Sequence, residues 1–194
     1  MKTSISKAAL SSGLLVYLII LAFLFSHAGS FILLAIYIVP GLLYGLALTA
    51  SAPNTASAVG SVLFVILSVV INIACVYYVC QDFVDQGRFA GLKLVVASSV
   101  GAVSLTSCYD FLLLRRFSVF RTIAMPSILG MAASLVSALC MYFLIPDKEN
   151  GFVATILWVG MLAIFPLWQY LIGFNLAYHV RSNHPVELSE PGRK

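Results

Sequence analysis

The chain has 194 residues, of which 61% are hydrophobic and 9% charged, with a mean hydropathy of +1.03 and a formal net charge of +4. A water-soluble domain of this size has no interior large enough to hide so much apolar surface, so the composition excludes a soluble globular protein and puts the chain in a bilayer. In that setting the basic excess points to anionic lipid headgroups and away from nucleic acid.

A hydrocarbon layer about 30 Å thick needs roughly 20 helical residues at about 1.5 Å each. Six apolar runs come near that length: 8–25, 31–49, 58–80, 91–114, 119–145 and 152–178. They are continuous, without the alternation of barrel strands, and lipid offers nothing to unpaired backbone groups, so each is predicted to be a helix. The expected fold is all-α: a single six-helix membrane bundle with short loops.

The first run follows Lys2 and Lys7 and resembles a signal peptide in layout. A second apolar run follows at once after Phe25-Ser26-His27-Ala28-Gly29, however, so it is read as a retained first span. The second run holds Pro40-Gly41-Leu-Leu-Tyr-Gly45, where Pro40 removes a helix hydrogen bond and the glycine pair allows a close crossing. Pro126 and Pro166 predict kinks in the fifth and sixth runs.

Asn72 lies near the middle of the third run, with Ser68 and Cys75 on roughly the same face. An amide at that depth seeks a partner across a helix interface, so Asn72 is expected to face the bundle interior, either as packing polarity or as a ligand group. Tyr77, Tyr78, Trp158 and Trp168 fit aromatic belts or core packing. Beyond the run, Asp82 and Asp85 are spaced to share a helical face, the only hint of paired acid–base chemistry.

The fourth run spends unusually many positions on small and hydroxyl residues. Ala97, Gly101, Ser104 and Cys108 form a small-residue seam, with Ser107 at its edge; Asp110 lies on a neighbouring arc with Ser99 and Thr106. Three readings stay open: close packing with hydroxyls bonded to their own helix, a path for a polar solute or ion, and a contact for another subunit. Asp110 is the strongest single candidate, since a carboxylate about one turn inside a membrane helix must be paired, wet or protonated. Arg115, Arg116 and Arg121 follow closely and are expected to face the headgroups, where any of the three could pair with it.

Orientation follows the placement of Lys and Arg. With the N-terminus inside, the cytoplasmic ends hold Lys2, Lys7, Arg115, Arg116, Arg121, Arg181, Arg193 and Lys194, against Arg88, Lys93 and Lys148 outside. Both termini are therefore expected in the cytoplasm, in a plasma membrane or bacterial inner membrane.

Cys75, Cys80, Cys108 and Cys140 contain no Cys-x-x-Cys pair; Cys80 and Cys140 approach the same outer rim and could bridge, but free buried thiols are expected. The three histidines sit at rims or in the tail, and no phosphate loop or nucleophile elbow is present, so no catalytic set, metal site or cofactor is expected. The leading expectation is a small permease or transport-system subunit for a small polar or cationic solute, using Ser104, Thr106, Ser107 and Asn72 as neutral hydrogen-bond groups and Asp110 at the cytoplasmic mouth. The alternatives are a non-catalytic structural or regulatory subunit, partnered by its own copies or by other membrane chains, and, more remotely, a lipid-embedded enzyme.

Overall fold

The computed structural model describes residues 2–25, 29–52, 56–84, 90–115, 118–144, 160 and 162–182. Among these the chain is all-helical: α1 (Lys2–Phe25), α2 (Gly29–Ala50), α3 (Ala58–Val84), α4 (Ala90–Tyr109), α5 (Met125–Leu144) and α6 (Ile164–Ser182). Two π-helical turns, Asp110–Leu114 and Phe120–Ala124, close α4 and open α5. Four helical stretches are long and apolar enough to cross a membrane, namely Ile5–Phe23, Ala58–Gln81, Gly91–Leu114 and Phe120–Cys140; Ala35–Ala50 is a shorter apolar helix. The first part of the expected sixth span, 152–159, lies outside the described residues.

Each helix packs on the next in sequence, and α6 returns against α1, so the six form a closed antiparallel ring. The most extensive contacts are α1 with α6, α4 with α5 and α2 with α3. Glycines explain why these three pairs are the tightest. A Cβ at Gly41 would stand 2.6 Å from the Ser68 carbonyl oxygen, one at Gly130 2.6 Å from that of Ser98, and one at Gly13 2.6 Å from the Cα of Pro166. Only a residue without a side chain lets these backbones approach so closely. The Gly41–Gly45 pair is thus used as its spacing predicts, against α3.

Interhelical hydrogen bonds to main-chain carbonyls join the tight pairs into one body. Pro40 has no N–H, so the carbonyl of Ile36 one turn earlier loses its helical donor. Asn72 supplies the replacement: its Nδ2 donates to the carbonyls of Ile36 (3.2 Å) and Tyr37 (2.6 Å). Ser68 donates to the Gly41 carbonyl and Gln169 to that of Pro40, while the Oε1 of Gln169 accepts from Ser12. Trp168 donates to the Ser98 carbonyl, Cys75 to that of Ala97, and Ser98 and Ser99 to those of Gly130 and Ser127. All six helices are joined through this belt.

Of the three prolines expected to kink their helices, Pro40 interrupts the interior of α2. Pro166 falls in the first turn of α6, where a missing N–H costs little, while Pro126 follows directly on the π-helical turn that opens the fifth helix. Ahead of Pro126 the chain adopts the wider π register, with Met125 N–H bonded to the Phe120 carbonyl. This local adjustment is a means of accommodating proline inside a continuous membrane helix.

Candidate functional site

The end of the ring that carries the start of α1 and the close of α6 also carries the α2–α3 and α4–α5 connections; it is called the near end below. Asp110 sits there at 3% exposure, as the first residue of the π-helical turn that ends α4. Its Oδ2 accepts a hydrogen bond from the hydroxyl of Thr122 at 2.6 Å, and the same hydroxyl oxygen accepts from the backbone N–H of Ser118 at 3.2 Å. Thr122 lies within the second π-helical turn, so a short hydrogen bond joins the two turns across the connection. Arg115 closes the first turn by donating its N–H to the Asp110 carbonyl, and it does so in a left-handed conformation with φ 52° and ψ 40°. For a residue with a side chain that conformation costs on the order of 1 kcal/mol or more, and single π-turns recur at functional positions.

One hydrophobic core contains aromatic groups from four helices: Tyr44 of α2, Phe64 of α3, Tyr109 of α4, and Trp168 of α6, partly buried at its edge. Tyr44 and Trp168 lie 5.7 Å apart by ring centroid, and Phe64 meets Tyr109 edge-on at 5.5 Å. Tyr44 and Tyr109 belong to the same core, and Tyr109 precedes Asp110 in the chain. Both tyrosine hydroxyls are fully buried without a hydrogen-bond partner among the described residues, as are those of Thr106 and Ser137. Most buried polar groups in proteins are satisfied, so such atoms call for an explanation.

The sequence-predicted residues divide between this cluster and other surroundings. Thr106 and Asp110 are buried, on the arc they share with Ser99, which faces α5. Asn72 faces the interior as expected and is taken up by the two carbonyls ahead of Pro40. Ser104 and Ser107 are not brought to the cluster. They remain only half-buried, because the interior arc of α4 is occupied by Ser98, Ala102, Leu105 and Tyr109. The expected seam is also spent inside the chain: Gly101 lies against Cys75, Ile71 and Trp168.

Arg115 is exposed, and the guanidinium of Arg121 lies 5.9 Å from the Tyr178 ring centroid, while Asn175 of α6 donates to the Arg121 carbonyl at 3.5 Å. Arg116 and Asp85 fall outside the described residues. The four cysteines are free thiols, so Cys80 and Cys140 are not bridged. No group of three or more His, Cys, Asp or Glu side chains suited to a metal ion lies among the described residues.

Thr122, Tyr44, Gln169, Asn175 and Ser12 were not among the sequence candidates. Gln169 and Asn175 carry the same signal as Asn72, an amide within an apolar run, and that signal could have found them. Thr122 and Tyr44 carry no such mark, since isolated threonines and tyrosines are ordinary in membrane helices. Comparison of the chain with protein-family models, with curated proteins and with solved structures finds no match in any of the three.

Proposed function

We propose that the chain crosses the membrane six times with both termini cytoplasmic, in a plasma membrane or bacterial inner membrane, and acts as a permease or transport-system subunit for a small polar or cationic solute. The observation that carries this reading is Asp110: a carboxylate buried at 3% exposure, held by Thr122 between two π-helical turns, beside a core with unpartnered hydroxyls. A buried acid within a membrane helix is by default a functional group, and broken or widened helix turns are where transporters handle solute. Under this reading Asp110 attracts the solute at the near-end mouth, with Thr106 and the tyrosine hydroxyls as hydrogen-bond groups; Asn72 holds the α2 backbone in shape.

The reading as a non-catalytic subunit draws on short loops and the lack of a catalytic set, and would present the small-residue seam of α4 to another chain. Two members of that seam, Ala97 and Gly101, are turned towards α3, so the transport reading is taken forward. Reconstitution into proteoliposomes tests the proposal: small organic cations and neutral polar solutes should enter faster than into protein-free vesicles, with saturation and mutual competition. Uptake equal to that of empty vesicles for every class would sink it.

A further inference from the structure

We infer that Tyr44, Phe64, Tyr109 and Trp168 form a binding chamber for a small protonated primary amine, with Asp110 as the carboxylate at its entrance; the inference rests on the transport reading and names its solute class. Three buried aromatic side chains, Tyr44, Phe64 and Tyr109, share one core with the partly buried Trp168 packed against it, each from a different helix. Ring faces attract an organic cation, most strongly once water is excluded. The two phenol oxygens inside this cluster are the atoms left without partners. An unpaired buried hydroxyl is costly, and a ligand carrying N–H donors relieves that cost.

The donor set chooses among cations. A primary ammonium brings three N–H donors for the phenol oxygens and an alkyl tail for Leu48 and Leu105, which belong to the same core. A quaternary ammonium has no N–H to give, and a bare metal ion would exchange its hydration shell for too few oxygens. The rings pair as Tyr44 with Trp168 and Phe64 with Tyr109, and the amine enters between the two pairs. The buried Asp110 then meets it from the near end.

Trp168 is a built-in reporter. The chain has two tryptophans, and Trp158→Phe leaves Trp168, 5.7 Å from Tyr44, as the sole indole. The full chain in nanodiscs is titrated at constant ionic strength with propylammonium, tetramethylammonium or sodium chloride, following Trp168 emission and the thermal midpoint. Propylammonium should give a saturable emission change and raise the midpoint, while the other two do so far more weakly. Tyr44→Phe and Tyr109→Phe should each weaken propylammonium binding roughly tenfold or more, the loss of one hydrogen bond to a charged group. Without ligand, each should leave the midpoint unchanged or raised, because it deletes a buried hydroxyl that bonds to nothing.

Three results overturn the inference: no saturable response to propylammonium, equal binding of tetramethylammonium, or phenylalanine variants that lose stability while keeping affinity. Amine binding without amine uptake leaves the chamber standing and removes the transport reading. Saturable uptake of another solute with no amine binding removes the chamber alone.

Discussion

At the scale of single residues, Asn72 and Pro40 are one feature. The amide has no reason to be at that depth until proline withdraws a donor from Ile36 on the facing helix. Asn72→Leu should therefore cost about 1–2 kcal/mol of stability, since a carbonyl in an apolar interior is left unmet. In a Pro40→Ala background the restored N–H serves Ile36, and the same substitution should cost clearly less. Thermal or denaturant unfolding of all four proteins measures the coupling, and an equal cost in both backgrounds would refute the pairing. The interior orientation of Asn72 was legible in the sequence because an apolar run makes any amide conspicuous. Its partners were not, because main-chain carbonyls carry no sequence signature. Asp110 was legible for the same reason as Asn72, whereas Thr122 depends on how the α4–α5 connection folds back.

At the scale of elements, α2, expected at 31–49, is found at Gly29–Ala50 and α3, expected at 58–80, continues to Val84, whereas the described helix of the sixth run begins only at Ile164. Apolar length decides where a membrane helix lies, and that is a local property. Which face of α4 turns inward is not local, since its serines are spread around the helix. Neighbouring backbones decide: Gly130 admits Ser98, so Ser104 and Ser107 are left towards the rim of the contact. The π-helical turns were likewise hidden, since only Pro126 hints at one of them. Glycine contacts give a graded prediction. A Cβ at Gly41 would approach the α3 backbone at 2.6 and 2.7 Å, whereas one at Gly45 meets it at 3.1 Å. Gly41→Ala should thus cost about 1–3 kcal/mol from overpacking, despite the helix propensity gained. Gly45→Ala should be close to neutral. Unfolding midpoints of the two variants check the order, and a reversed order would mean that α2 and α3 cross elsewhere.

At the scale of the whole molecule, the ring of helices divides its polar groups between two uses. The serines, amides and indole of the belt bond to carbonyls and hold the helices together, while Asp110 and the tyrosine hydroxyls gather at the near end. The proposed orientation rests on the placement of Lys and Arg, and cysteine labelling in intact cells tests it. Cysteines introduced at Ser26 and Lys148 should label from outside, and those at Ser118 and Ser189 only once the cytoplasm is opened, with native thiols controlled. Outside labelling of both Ser118 and Ser189 positions would invert the topology. The division of labour itself is tested most directly by Asp110→Asn, which keeps an acceptor for the Thr122 hydroxyl and removes only the charge. Solute uptake and thermal stability are measured on the same membrane preparation. Uptake should be lost while stability falls by no more than about 1 kcal/mol, the scale of one neutral hydrogen bond. Parallel loss of uptake and stability, or unchanged uptake in a well-folded variant, would contradict the account and return Asp110 to the architecture of the α4–α5 turn.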